Sequence, residues 1–122
     1  MINLIYVVSG GAIGASLRYF SSIFFKFFSP NFPLGTLFVN ILGSFLIGVL
    51  ISNLENNFFS ENFIKYFLII GLLGSFTTFS SFSIEAIELY NNKKLLFSIF
   101  YVIVSVFSCI IAAYAGYNIN KI

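Results

Sequence analysis

The sequence predicts an all-α integral membrane domain, and three observations carry that prediction. Hydrophobic residues make up 59% of the chain and charged residues only 8%, whereas about a quarter of a soluble domain is charged. Four apolar stretches are long enough to span a hydrocarbon core, which takes roughly 20 helical residues each. The polar sequence between them is too short for a separate soluble unit. The expectation is therefore one membrane domain over residues 1–122, with helices at about 3–28, 34–52, 63–90 and 95–117.

The first stretch has no basic residue ahead of its apolar run and continues past the length of a signal-peptide core, so it reads as a retained helix. Within it, Gly10 and Gly14 form a GxxxG pair on one face, which lets another helix approach closely. Arg18 follows a turn later. It either snorkels to the headgroups or lines an aqueous vestibule that attracts anions. Both prolines fall in Ser29-Pro30-Asn31-Phe32-Pro33, and neither suits a helix interior, so the first helix ends near Phe28.

The second helix carries one amide, Asn40. An unpaired amide in hydrocarbon costs several kcal/mol, so Asn40 faces the bundle, either bonding a neighbouring helix or contacting a ligand where Gly43 clears space beside it. A polar connection over 53–62 holds Glu55 and Glu61 and carries no motif.

The third apolar stretch, 63–90, is longer than a perpendicular helix needs to cross about 30 Å of hydrocarbon. The excess fits a break in the region from Gly71 and Gly74 to Thr78. Residues 71–85 hold two glycines, six hydroxyl residues, three phenylalanines and Glu85. Such polar groups at bilayer depth are expensive and face protein or a water-filled cavity. Phe76, Phe79 and Phe82 share a face, with Thr78, Ser81 and Glu85 on an adjacent one. After the turn Asn91-Asn92-Lys93-Lys94, the fourth helix steps Tyr101, Ser105 and Cys109 along one stripe.

Several function classes are excluded. The chain has no His and a single Cys, and the only acids on a predicted membrane helix are Glu85 and Glu88. No nucleophile, base and orienting group can be assembled, so the protein is not expected to be an enzyme. A net charge of +2 is too small to imply nucleic acid.

Three segments together resemble the CrcB-like, or Fluc, fluoride channel family: Gly10-Gly-Ala-Ile-Gly-Ala-Ser-Leu-Arg-Tyr19, Gly35-Thr-Leu-Phe-Val-Asn-Ile-Leu-Gly43, and residues 71–83 continuing to Glu85. The resemblance covers nearly the whole chain. It implies a dual-topology homodimer of antiparallel four-helix subunits, with two fluoride pores and a central structural sodium ion at the dimer interface. By motif, Phe79 and Phe82 are the pore phenylalanines, Asn40 the pore amide and Arg18 the vestibular arginine. Ser80, Ser81 and Glu85 fall at hydroxyl and carboxylate positions near the pore, with Tyr101 and Ser105 on the polar track of the fourth helix. Sodium would be held by the backbone carbonyls of Gly74 and Thr77. One departure stands out: the track tends to continue with hydroxyls, and here it continues with Cys109 and Ala113.

The function so implied is a passive fluoride-selective channel that relieves fluoride toxicity, in the inner (plasma) membrane of a prokaryote. Two alternatives are an ion-coupled small-anion exporter, with Glu85 as proton carrier, and a small structural membrane protein. Packing explains Gly10 and Gly14 but not Asn40 together with residues 77–85. One acid with no His makes a thin proton relay. For four spans, Lys65 and Lys121 lie on one side and Lys26, Lys93 and Lys94 on the other, a bias weak enough to permit insertion in both orientations.

Overall fold

The computed structural model describes residues 1–56 and 58–121; Asn57, inside the polar connection, lies outside them. The described residues are helical with no strand. Helix α1 spans Ile2–Phe28 and α2 spans Leu34–Ser52. The bent helix α3 covers Phe63–Asn91, and α4 covers Leu95–Asn118. Single 3₁₀ turns, Leu54–Asn56 and Ile119–Lys121, follow α2 and α4.

Proline chemistry ends α1. Ser29 precedes Pro30 and takes φ −141°, ψ 81°, because the proline ring pushes the residue before it out of the helical region. Lys26 lies in the last turn, where a cation complements the helix dipole. At the other sharp turn, Lys93 adopts φ 62°, while the Lys93 and Lys94 N–H groups reach back to the Tyr90 and Leu89 carbonyls at 3.1 and 2.9 Å. This is a Schellman end, normally built on glycine.

Glycines set how the helices pack. Helix α1 lies against the N-terminal arm of α3: a Cβ on Gly71 would stand 2.8 Å from the Val7 carbonyl, and one on Gly14 would strike the Leu72 carbonyl. Helix α2 lies against α4 in the same way. A Cβ on Gly48 would meet the Tyr117 N at 2.8 Å, and one on Gly116 would collide with the Phe45 backbone. Ala113 is part of this second seam, since its carbonyl lies under Gly48.

Two small cores result, one of Val39, Leu73 and Phe76 and the other of Phe82, Leu89 and Tyr101. Most remaining large apolar side chains point outward, among them Phe27, Leu96, Phe97 and Phe107, as lipid-facing residues do. Among the described residues, three helices are long and apolar enough to cross a membrane: α2, α3 and α4. Helix α1 has 27 residues and length to spare, but Asn3, the glycine and serine run, Arg18 and Lys26 dilute its apolar character.

The N-terminal arm of α3, Phe63–Leu73, is wound as a π-helix, a form usually confined to single turns. Nothing in its residue pattern signals this. One α-helical turn, Gly74–Phe76, follows, and then the helix opens. The opening falls at Thr77 and Thr78, with φ, ψ of −85°, 154° and −151°, 117°, before the C-terminal arm resumes at Phe79–Asn91. Gly71 and Gly74 themselves remain helical: Gly71 serves the α1 contact, and the break lies just beyond the glycines.

Bulk at a seam glycine should therefore separate helices without touching the break. Gly116→Val forces a side chain into the Phe45 backbone, an overpacking that costs about 1–3 kcal/mol or more. The expected outcome is a lower midpoint of thermal unfolding in detergent than for Ala115→Val one residue earlier, where the side chain faces outward; equal midpoints would contradict the seam.

Candidate functional site

Two adjacent threonines end one helix and start the next. The Thr77 N–H and its Oγ1 both donate to the Leu73 carbonyl, at 3.1 and 3.0 Å, which closes the N-terminal arm. Thr78 then caps the C-terminal arm, its Oγ1 accepting from the Ser81 N–H at 3.1 Å. Threonine suits both tasks, because its branched Cβ favours extended backbone and its hydroxyl replaces a lost helical partner.

The backbone groups of Thr78 have no helical partners and cannot be left bare in an apolar setting. Asn40 supplies both. Its Oδ1 accepts from the Thr78 N–H at 2.7 Å, and its Nδ2 donates to the Thr78 carbonyl at 3.0 Å. Arg18 takes another group: its Nε donates to the Ser75 carbonyl at 3.0 Å. The arginine thus points inward to the break instead of snorkelling outward.

Further along the C-terminal arm, the two oxygens of Glu85 are held by two helices. Thr36 on α2 donates to Oε1 at 2.7 Å, and Tyr101 on α4 donates to Oε2 at 2.8 Å. The Tyr101 ring is almost fully buried and stacks on Phe82, with centroids 5.3 Å apart and planes at 26°. Phe79 lies 5.3 Å from Phe82 at 51°. The two phenylalanines differ in setting: Phe82 is 7% exposed and Phe79 is 77% exposed.

Three cavities follow one another through these groups. The first, about 290 Å³, opens at the α1–α2 turn between Lys26, Glu88 and Lys94 and reaches in to Thr36 and Glu85. The second, about 250 Å³, shares Thr36 and Glu85 and adds Arg18, Ser81 and Thr78. The third is a groove of about 310 Å³ that shares Thr78 and continues past Asn40, Thr77, Phe79, Phe82 and Ser105. Cavity to cavity, the shared linings are thus Ser22, Gly35, Thr36 and Glu85, and then Thr78.

Of the residues singled out in the sequence, the structure brings Arg18, Ser81 and Glu85 around the middle cavity. It brings Asn40, Thr77, Phe79, Phe82 and Ser105 around the groove. Tyr101 lines neither and acts as a bridge from Glu85 to Phe82. Ser80 is exposed, and its hydroxyl shares a 3.2 Å hydrogen bond with Thr78 Oγ1. Gly74 is also exposed, in the helical turn just before the break. Cys109 lines the groove, so the stripe on α4 carries on to the thiol and stops at Ala113, which belongs to the α2 seam.

Thr36 and Ser44 were missed, although a signal existed. Thr36, Asn40 and Ser44 step by four along α2 and so form one polar stripe on an otherwise apolar helix. Thr78 was placed on a face, but its capping role depends on where the helix opens.

Known proteins resemble this chain over most of its length. The family model described as CrcB-like protein, Camphor Resistance (CrcB), matches residues 5–117. A fluoride-specific ion channel FluC of Agrobacterium fabrum is 43% identical over 99% of this chain and 98% of its own. One of Campylobacter jejuni is 46% identical over 99% and 100%, and one of Ruminiclostridium cellulolyticum is 39% identical over 99% and 94%. All three relatives are bacterial, and the chain, with its three apolar crossing helices, is a multi-pass membrane protein of the prokaryotic kind. A match of this extent settles the affiliation: the chain belongs to the CrcB-like family.

Proposed function

We propose that this protein is a passive, fluoride-selective channel that lets a cell shed toxic fluoride. The observation that carries the reading is the succession of cavities linked through Thr36, Glu85 and Thr78. Relatives named as fluoride-specific ion channels support the choice of ion. Fluoride is small and strongly hydrated, so a pore must replace lost water with donors. The linings offer the hydroxyls of Ser81 and Ser105, the second N–H of the Asn40 amide and the Arg18 guanidinium. Phe79 and Phe82 add electropositive ring edges. Weak sites in series suit conduction, because an ion that binds must also leave.

The working form is an antiparallel dual-topology homodimer of four-span subunits, α1 being the fourth span. The outward exposure of Gly74 and Phe79 supports a second copy at the break. Sodium fits there as well. In an unbroken helix the Gly74 and Thr77 carbonyls would accept from the Thr78 and Ser81 N–H groups, and those donors are instead taken by Asn40 Oδ1 and Thr78 Oγ1. Freed carbonyls are good ligands for a hard cation. Gly74 and Thr77 would hold the ion, which supplies structural cross-linking and no chemistry. An exporter reading gains less support, since both Glu85 oxygens already accept hydroxyl bonds.

Electrical recording on liposomes tests the function: fluoride current should follow voltage with no proton gradient, and flux that demands such a gradient would mean coupled export. Phe82→Ile keeps an apolar side chain but removes the ring edge. Efflux of fluoride from folded dimer should then fall by roughly tenfold or more, a barrier change of about 1.4 kcal/mol or greater. Phe97→Ile, at a lipid-facing site, should leave efflux near that of the native protein, and the same rate in both variants would return Phe82 to ordinary packing. For topology, single cysteines placed in the 53–62 connection of a Cys109→Ser background should label from both faces of the membrane; labelling from one face alone would rule out dual insertion.

A further inference from the structure

The first cavity, at the α1–α2 turn, holds charged groups that the protein leaves unpaired. Lys26 lies in the last turn of α1, Lys94 at the N-cap of α4 and Glu88 near the end of α3, and all three line one space of about 290 Å³. Among the described residues, none gives the side chains of these three an ion pair or a hydrogen bond. The other carboxylate of the cavity, Glu85, already has a hydroxyl on each oxygen. The free charges are therefore two ammonium groups and one carboxylate. The first turn of α2 borders the same space, with no side-chain cap and no protein partner for the Gly35 and Thr36 N–H groups, which adds to the preference of that side for an anionic group.

This charge pattern selects the ligand. A simple anion suits the lysines but brings like charge to Glu88, and a simple cation suits Glu88 but is repelled by two lysines. A small zwitterion with a phosphate at one end and a primary ammonium at the other satisfies all three. Its phosphate accepts from the lysine ammonium groups and its ammonium donates to the carboxylate, in charge-assisted hydrogen bonds. The surroundings select the source. The helix ends that carry Lys26 and Lys94 also carry Phe27, Phe28 and Leu96, which are 87%, 67% and 82% exposed. Lysines beside outward-facing apolar side chains at the ends of membrane helices mark the level where hydrocarbon meets water, and basic pockets between helices at that level hold lipid headgroups.

We propose that Lys26, Glu88 and Lys94 form a binding site for the headgroup of phosphatidylethanolamine, with the phosphate on the lysines, the ammonium on Glu88 and the acyl chains running down beside Phe28 and Leu96. The site does not rest on the channel reading above, because binding is measured without flux.

The test is native mass spectrometry of the full chain purified in detergent, with phosphatidylethanolamine, phosphatidylcholine and phosphatidylglycerol of identical acyl chains added in turn. One phosphatidylethanolamine should be retained per chain, with an affinity about tenfold or more above that of either other lipid. The choline headgroup has no N–H to donate to Glu88, and the glycerol headgroup has no cation for it. Glu88 is exposed, so Glu88→Gln keeps the fold, and it should bring phosphatidylethanolamine down to the level of phosphatidylcholine. Lys26→Gln combined with Lys94→Gln should weaken phosphatidylethanolamine by a similar factor, whereas Lys65→Gln, in the N-terminal arm of α3, should leave it unchanged. Equal retention of the three lipids by the native protein would overturn the site, as would an undiminished preference for phosphatidylethanolamine in Glu88→Gln. Soluble phosphoethanolamine at the concentration of the lipid should not displace it; displacement would overturn the assignment to a membrane lipid.

Discussion

The two hydrogen bonds between the Asn40 side chain and the backbone of Thr78 are the constraint on which the rest of the structure depends. A helix inside a membrane cannot open without leaving an N–H and a carbonyl bare, at a cost of several kcal/mol for each group. One carboxamide offers a donor and an acceptor in a plane, and so satisfies both. With Thr78 held in this way, Arg18 collects the Ser75 carbonyl and Thr78 Oγ1 collects the Ser81 N–H. The chain can then open at mid-helix and resume as helix at Phe79.

That arrangement brings polar groups into the middle cavity, where the hydroxyls of Ser22, Thr36, Thr78 and Ser81 stand with Arg18 and Glu85, while the groove beyond Thr78 is lined mainly by apolar atoms. Two hydroxyls, one from α2 and one from α4, satisfy the oxygens of Glu85. The same two bonds pin α2, α3 and α4 together at the level of the Phe82 and Tyr101 stack. Glycine seams do the corresponding work elsewhere, allowing α1 to meet α3 and α2 to meet α4 backbone to backbone.

Much of this was legible in the sequence. Apolar run lengths, the two prolines and the Asn91 to Lys94 turn located the helices, because those signals are local. The richness of residues 71–85 marked the third helix as the polar one. Its opening was harder to place: glycines suggest a break, yet Gly71 is spent on the α1 contact, and capping by Thr78 is what fixes the opening. The π-winding of Phe63–Leu73 left no trace in the residue pattern. The partners of Asn40, Arg18 and Glu85 depend on which helices become neighbours, a long-range outcome that spacing along one helix cannot encode. Thr36 is the instructive omission, since its place on a stripe with Asn40 and Ser44 was open to view.

The most direct measurement is the fluoride current of Asn40→Leu, recorded from purified, folded protein that elutes as the native protein does. Leucine is close to asparagine in volume and can bond neither group of Thr78, so each buried backbone group loses about 1–3 kcal/mol of satisfaction and the break has no reason to stay open. The account predicts current reduced by about tenfold or more, in line with a barrier raised by at least about 1.4 kcal/mol. Native current through Asn40→Leu would contradict it, because the pathway would then not depend on the clamped break.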